Sequence, residues 1–337
     1  MRFIIEDAVR ILNEGKSFVL STIMECQGSA PRGLGAAMLV EESGKQFGTI
    51  GGGAVEFAAG KRAAELLKSK GSESQFYRLH PNEAADLGMI CGGQVLVLFE
   101  HFAPDAKTIA MFERLQQARL AGECAYLVRR IENGAAVEAA VLDKTGLHGD
   151  LDVDAQFVQD HAGKRPCLVE LEDESKLLLE PVGRGDRVFI FGGGHVSQKL
   201  VPVLSYVGFR VTVCEDRPEF ANKALFPAAE GTVLHAFAGI VEHIGINGDD
   251  YLVVMTRGHL ADYEILRQAL KTPATYIGCI GSKHKVALTK KRLLEEGFTE
   301  EDFARIHTPI GLPIGAETPE EIAISVTAEM VAHRAKN

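Results

Sequence analysis

Long apolar runs are missing from this sequence. No stretch approaches the roughly 18 consecutive apolar residues that a membrane span needs. The N-terminal segment 1–16 contains acidic side chains and apolar residues at helical spacing, whereas a signal peptide would have an unbroken apolar core. We therefore expect a cytoplasmic protein with no membrane span.

An excess of basic residues is also missing. The chain has 36 lysines and arginines against 46 aspartates and glutamates, so its formal net charge is -10. Nucleic-acid binding draws much of its affinity from basic side chains that neutralise phosphates. We therefore expect no nucleic-acid partner, and any site for an anion must be a local group of cations.

Cysteine clusters are absent as well. No two of the six cysteines lie within a few residues of each other, as zinc or thioredoxin-like motifs require. A disulfide framework is not expected in so long a chain. The sequence therefore predicts no metal site. The cysteines are Cys26, Cys91, Cys124, Cys167, Cys214 and Cys279.

Length and pattern predict two domains. At roughly 150 residues per domain, 337 residues suggest two. Helical and hairpin-like patterns mix in the first half, whereas strands and helices alternate from residue 187 onward, which is typical of a parallel sheet with helical crossovers. The expected boundary is the segment 181–187, which has two glycines and three charges. The predicted fold class is α/β, with an N-terminal mixed α/β domain at 1–181 followed by a C-terminal Rossmann-like parallel-sheet domain at 182–337.

The C-terminal domain has well-marked elements. Its strands are expected at 188–191, 210–214, 232–237, 251–255 and 275–280. The last helix is marked by Thr318 and Glu321, which form a capping box, and by Pro319 at the first helical position. The segment 307–311 is expected to be a loop lining the same crevice as the strand ends.

The sharpest motif is the segment 188–197, VFIFGGGHVS, in which a buried strand runs into a glycine turn and then a helix. Its first and third glycines occupy the first two glycine positions of the dinucleotide-binding fingerprint, and Ser197 stands in place of the third. Such glycines let backbone N–H groups approach a phosphate at the helix N-terminus. A purely structural role for the glycines is the alternative. The residues placed at this turn are Gly192, Gly193, Gly194 and His195.

Several charged residues follow the other strands of this domain. In an open α/β sheet, ligands bind beyond the carboxyl ends of the strands, and an acid about 20 residues after the glycine turn is positioned to bind a ribose hydroxyl. Arginine and lysine at these ends predict an anionic ligand. The alternative is that the cations pair with neighbouring acids and only brace loops. The candidate residues are Glu215, Arg217, Arg257, His259, Ser282 and Lys283.

Three glycine turns recur in the N-terminal domain. They are the segments 28–32, 48–53 and 91–93. Successive backbone N–H groups in such turns can form a concavity that binds an anion and favours a thiolate. The alternative is that the cysteine of the third turn is a small buried apolar side chain. The candidate residues are Arg32, Gly51, Gly52, Gly53, Glu56 and Cys91.

Taken in order, these segments resemble the XdhC/CoxI family of molybdenum hydroxylase maturation factors over nearly the whole chain. The N-terminal motifs are GSAPRGLGAAMLV, GTIGGGAVE and CGGQVLVLFE. The C-terminal motifs are IFGGGHVSQKLVPVL, VTVCEDRPEFAN, VVMTRGHLADYEIL, YIGCIGSKHK and IHTPIGLPIGAETPEEIAISVTAE. Several long motifs in one order are far more specific than the glycine turn alone.

The resemblance implies a homodimer that binds a molybdenum cofactor of the molybdopterin type. It implies that the protein protects this cofactor while a cysteine desulfurase supplies the terminal sulfur. The same resemblance implies insertion of the cofactor into an apo molybdenum hydroxylase such as xanthine dehydrogenase. It makes Cys91 a candidate contact to the molybdenum or its sulfur. Glu215 stands where the family often has aspartate, a conservative difference.

Two alternatives come from other functional classes. An NAD(P)-dependent oxidoreductase would place its nucleotide on the glycine turn of the C-terminal domain, but the sequence offers no convincing acid/base pair for hydride transfer. A structural or regulatory subunit would leave the Rossmann-like domain unused. The chain itself is not expected to hydroxylate purines, because it lacks cysteine clusters for iron–sulfur centres and is too short for the molybdenum domains.

Overall fold

The computed structural model describes residues 4–28, 30, 32–78, 93–183 and 185–336. The chain forms two compact units, Met1–Arg184 and Gly185–Asn337. Within the described residues, no helix combines the length and the apolar character of a bilayer-spanning segment.

The first unit begins with helix α1 (Ile5–Asn13) and a five-stranded antiparallel sheet. Helix α2 (Gly53–Ser69) covers one face of this sheet, and its small residues Ala59 and Ala63 are fully buried against the strands. The strands are β1 (Phe18–Gln27), β2 (Ala37–Glu41), β3 (Gln46–Gly48), β4 (Ser72–Arg78) and β5 (Gln94–Phe102), in the spatial order β3-β2-β1-β5-β4.

A second antiparallel sheet completes this unit. Its strands are β6 (Ala125–Glu132), β7 (Ala135–Asp143), β8 (Gly146–Gly149), β9 (Cys167–Glu170) and β10 (Lys176–Val182), in the order β8-β7-β6-β10-β9. Two helices, α3 (Ala106–Ala121) and α4 (Ala155–His161), belong to the same part of the chain. Asp105 caps α3 by accepting the Thr108 N–H at 2.9 Å, and Gly122 ends it with a φ of 74°. Local capping signals therefore fix both ends of α3.

A buried arginine links the two sheets of the first unit. Arg129 on β6 is 0% exposed and donates to the Thr22 hydroxyl on β1 at 2.9 Å. Its guanidinium also binds the carboxylates of Glu100 on β5 and Glu180 on β10. The sheets are thus joined by a polar network as well as by apolar packing.

The second unit contains a six-stranded parallel sheet. Its strands are β11 (Arg187–Phe191), β12 (Arg210–Glu215), β13 (Gly231–Leu234), β14 (Tyr251–Val254), β15 (Tyr276–Cys279) and β16 (Ile306–His307), in the order β13-β12-β11-β14-β15-β16. All neighbouring strands run parallel. Counted within the unit this is the order 3-2-1-4-5-6 of Rossmann domains. The predicted parallel-sheet C-terminal domain is therefore confirmed.

Helices cover both faces of this sheet. They are α5 (His195–Tyr206), α6 (Ile240–Ile244), α7 (His259–Ala269), α8 (Lys283–Glu295), α9 (Glu300–Ala304) and α10 (Pro319–Arg334). Leu200 of α5 and Met330 of α10 belong to one core cluster, and Leu266 of α7 belongs to another. Thr318 and Glu321 form the predicted capping box at the start of α10.

Two elements differ from the sequence predictions. The strand predicted at 232–237 ends at Leu234, because the chain turns through Gly239, with a φ of 77°, to begin α6. The segment 307–311, predicted as a loop, begins inside β16, where His307 pairs with Gly278 of β15. A two-residue strand carries no periodic pattern, so nothing in the sequence marks it.

Candidate functional site

The second unit has a topological switch point between β11 and β14. The chain leaves β11 toward α5 and leaves β14 toward α7, and the strand order reverses between these two strands. Gly192 has a φ of 110°, and a Cβ there would lie 2.5 Å from the Met255 carbonyl oxygen. Only glycine allows the two loops to approach this closely.

The other two glycines of the turn differ in their surroundings. A Cβ on Gly193 would lie 2.7 Å from the Phe220 carbonyl oxygen, so backbone packing requires glycine there too. A Cβ on Gly194 would have no heavy atom within 4 Å, and its φ of -69° suits any residue. A purely structural role thus accounts for Gly192 and Gly193, but not for Gly194.

Two helices begin at the switch point without a side-chain cap. Gly194 is the N-cap of α5 and Gly258 is the N-cap of α7, and neither helix start has a side-chain capping bond. A Cβ on Gly258 would also meet open space. Uncapped N–H groups and the positive end of the helix dipole favour an anion. The two helix starts therefore form a candidate anion-binding site.

Glu215 at the end of β12 is fully engaged by its own chain. Its carboxylate accepts the Gly193 N–H at 2.8 Å and the Nε and Nη2 groups of Arg217 at 2.9 Å each. The backbone N–H groups of residues 216 and 217 add two longer bonds, and Glu215 is 1% exposed. Five donors exceed the roughly four acceptor sites of a carboxylate. In this conformation Glu215 has no acceptor left for a ribose hydroxyl.

The charge state of Glu215 follows from these contacts. Burial alone would raise the pKa of its carboxyl. Hydrogen bonds from the Arg217 side chain, the Asp216 side chain and the Gly193 N–H lower this pKa to about 2. The Arg217 guanidinium forms an ion pair with Glu215 and also lies 4.0 Å from the Phe220 ring centroid. Arg217 therefore braces the turn, as the alternative drawn from the sequence expected.

The loop after β14 is held by a buried aspartate. Asp262 is 0% exposed and accepts the N–H and hydroxyl of Thr256 at 2.9 and 2.7 Å. Lys285, which the sequence patterns did not single out, pairs with Asp262 and donates to the Ile280 carbonyl at 3.2 Å. This network fixes the loop that carries Arg257.

The cations at the switch point differ in availability. Arg257 is exposed and makes no hydrogen bond or ion pair with any of the described residues. His195 and His259 are exposed first residues of α5 and α7. Ser282 caps α8 by accepting the Lys285 N–H at 3.3 Å. Lys283 begins α8, but its side chain lies outside the described part of the chain.

The candidate residues of the first unit form a second glycine turn. Gly51, Gly52 and Gly53 have φ values of 130°, 74° and 59°. Glu56 accepts the N–H groups of residues 50 and 52 at 3.2 and 3.0 Å, so its carboxylate holds the turn. Arg32 is exposed between β1 and β2.

Cys91 lies outside the described residues. Among the residues that are described, no group of three or more histidine, cysteine, aspartate or glutamate side chains is arranged to hold a metal ion.

The glycine turn and strand order define a Rossmann domain, and comparison with known sequences places it in a family. The model of the XdhC Rossmann domain matches residues 188–330, and the model of the XdhC and CoxI family matches residues 11–79. The chain belongs to the XdhC and CoxI family.

Relatives and a solved structure agree with this assignment. The chain is 27% identical to a probable xanthine dehydrogenase subunit of Bacillus subtilis, over 96% of this chain and 95% of that protein. It is 24% identical to the molybdenum cofactor insertion chaperone PaoD of Escherichia coli, over 99% of this chain and 88% of that protein. The crystal structure of a xanthine dehydrogenase from Bacillus halodurans has a TM-score of 0.81 and 27% identity, covering 99% of this chain and 96% of that one.

The E. coli protein YqeB is 28% identical over 97% of this chain, and the match covers 46% of YqeB. The chain therefore spans about half the length of this relative.

Proposed function

We propose that this protein binds a molybdenum cofactor and assists its insertion into a molybdenum hydroxylase. The observation that carries the proposal is the open space at Gly194, between two helix starts that have no side-chain cap. A phosphate group of the cofactor suits such a site. The similarity to a protein named molybdenum cofactor insertion chaperone supports the choice of ligand.

In this proposal the chain binds the phosphate mainly through its backbone. The first N–H groups of α5 and α7 donate to the phosphate oxygens, and Gly194 keeps the approach free of side-chain atoms. Arg257 adds a charge that no described partner neutralises. The Glu215–Arg217 pair holds the turn in one conformation before the ligand arrives, which lowers the ordering cost of binding.

The remaining candidate residues enter the proposal as secondary contacts. Ser282, Lys283 and His259 lie after β14 and β15, at the same edge of the sheet as Gly194. The turn held by Glu56 offers backbone donors in the first unit. Cys91 is proposed to contact the molybdenum or its sulfur. The family resemblance supports three further parts of the proposal. The protein is a homodimer, a cysteine desulfurase supplies sulfur to the bound cofactor, and an apo-hydroxylase receives it.

The NAD(P)-dependent oxidoreductase remains the second candidate, and Glu215 counts against it. Recognition of a nucleotide ribose by this acid would require one or more of its five hydrogen bonds to break. That cost does not arise for a ligand bound only through a phosphate.

Two substitutions test the site. Gly194→Val and Arg257→Ala should each lower the cofactor retained by protein purified from a molybdenum-replete host at least tenfold, because one blocks backbone approach and the other removes a charge. Mass spectrometry of the released ligand measures the retained amount. Gly231→Val is the matched control, since Gly231 is equally open but lies at the amino end of β13.

Arg257→Lys should retain more cofactor than Arg257→Ala. Undiminished retention in folded Gly194→Val and Arg257→Ala proteins would show that the switch point is not the site. A released nicotinamide nucleotide would favour the oxidoreductase instead.

A further inference from the structure

The first unit contains a cleft of about 590 Å³ between α3 and the hairpin of β7 and β8. This volume falls in the range of small-molecule sites. Its lining includes apolar side chains from three elements, which would exclude water from a bound ring. They are Phe102, Ala110, Met111, Val137, Ala139 and Val141.

The cleft also exposes one member of a buried charge network. Glu100 lines it, with a side chain that is 11% exposed, and accepts a bond from Nη1 of Arg129 at 3.1 Å. Glu180 binds the same guanidinium, is 1% exposed and does not line the cleft. Two carboxylates thus share one arginine. When both are ionised, the network carries an excess negative charge in a largely apolar setting.

Two polar atoms of this network have no hydrogen-bond partner among the described residues. They are Oε1 of Glu180 and Nε of Arg129, and both are buried. Burial raises the pKa of the Glu100 carboxyl, although Arg129 acts in the opposite direction. A buried carboxylate with too few donors is costly. Among the described residues, the Glu100 carboxylate accepts a side-chain hydrogen bond from Arg129 alone. A ligand that brings N–H donors to Glu100 would therefore add bonds that the protein itself does not supply there.

Charges at the rim are already paired. Lys107 of α3 and Asp150 after β8 approach to 2.5 Å, with side chains that are 85% and 78% exposed. Arg114 and Asp143 approach to 2.6 Å. The Lys107–Asp150 pair is weak because both side chains are exposed, and it can open for a ligand. The Asp143 side chain is only 8% exposed, so the Arg114–Asp143 pair stays closed. The lysine and the arginine in the described lining of the cleft are therefore already paired, and Glu100 would repel an anionic ligand.

We propose that this cleft binds a flat nitrogen heterocycle whose adjacent ring N–H and amino N–H groups donate to Glu100. This edge is common to guanine and to pterin rings. Two parallel N–H donors match the two oxygens of a carboxylate. Phe102 and Met111 offer apolar and polarisable surface to the faces of the ring. The proposal does not depend on the anion site of the second unit.

Calorimetric titration of the full-length protein tests the ligand class. Pterin is compared with lumazine, and guanosine with inosine, because the second member of each pair lacks the amino donor. Pterin, guanosine or both should bind at least tenfold more tightly than the matched compound without the amino group. The pair that shows this difference tells whether the ligand is a pterin or a guanine. Equal binding within both pairs, no binding of any probe, or preferential binding of methylguanidinium would overturn the proposal.

Variants locate the site. Glu100→Gln should weaken binding of the preferred ring at least tenfold, whereas Glu180→Gln should not, because both residues contact Arg129 but only Glu100 lines the cleft. Ala139→Leu should also weaken binding, because the larger side chain fills part of the cleft. This variant leaves the charge network intact, so it tests the site even if Glu100→Gln does not fold. Unchanged binding in Ala139→Leu, or an equal loss in Glu180→Gln, would refute the assignment. Gly231→Val, a change in the second unit at a glycine with open space around it, should leave ring binding unchanged.

Discussion

The Glu215 side chain shows how far a single residue can be interpreted from sequence. Its place at the end of the second strand of the unit, about 20 residues after the glycine turn, follows from the pattern. The pattern does not reveal that Arg217, two residues later, folds back onto the carboxylate with a Gly193 N–H on the other side. Such pairing depends on side-chain conformations in three dimensions. The motif therefore locates this acid without defining what it binds.

Glu215→Gln should destabilise the second unit by about 3 kcal/mol at pH 7. The folded pKa of about 2 lies below the ordinary value of 4.5. The ionised carboxylate therefore contributes its full stabilisation above about pH 4.5, and this contribution is lost as the pH falls toward 2. Urea unfolding of both proteins at several pH values measures the difference.

Glu230→Gln serves as the control for this experiment. Glu230 also pairs with an arginine, Arg210, but its side chain is 46% exposed, so the change should cost less than about 1 kcal/mol. Equal unfolding midpoints of wild type and Glu215→Gln at pH 7 would contradict the role given to Glu215.

At the scale of elements, the sequence predicts best where periodic and capping signals agree. The capping box of Thr318 and Glu321 marks α10 correctly. The short strand β4 carries no such signal, because most of its residues are polar and none is buried at this edge of the sheet. The sequence also does not predict the open space around Gly194, because that space depends on how the loops after β11 and β14 pack against each other.

Thr318→Ala should lower the stability of the second unit by about 1 kcal/mol, because it removes the side-chain acceptor for the Glu321 N–H. Thr318→Ser keeps that acceptor and should stay close to wild type. Chemical unfolding followed by circular dichroism compares the three proteins. If the alanine and serine variants have the same stability, the cap does not stabilise α10.

At the scale of the whole molecule, the order of the motifs identified the family, and no single motif would have done so. The glycine turn alone is compatible with many nucleotide-binding proteins. Matches to family models in both units agree with the order of motifs in the sequence. The role of Cys91 rests on the resemblance, since the residue lies outside the described part of the chain.

Cys91→Ala should sharply reduce the ability of the protein to activate an apo-hydroxylase while leaving the fold nearly intact. If Cys91 contacts the molybdenum or its sulfur, its removal affects the transfer step and little else. The test combines purified apo-hydroxylase, molybdenum cofactor and a sulfur source with either protein, and measures hydroxylase turnover.

Cys26→Ala is the matched control, because Cys26 is an exposed free cysteine to which no role is given. Equal activation by wild type and Cys91→Ala would remove Cys91 from the proposal. Purine hydroxylation by the wild type alone would remove the accessory function itself.

The carboxylates of Glu56 and Glu215 have a consequence for how long a ligand stays bound. Each already occupies a backbone N–H of the glycine turn beside it. In the proposed site, a phosphate would gain only the N–H groups that these internal anions leave free, so the complex would form fewer bonds than the turn could offer. Fewer bonds mean faster dissociation, and related complexes differ mainly in this rate. A protein that must hand its cofactor to an enzyme benefits from a short residence time.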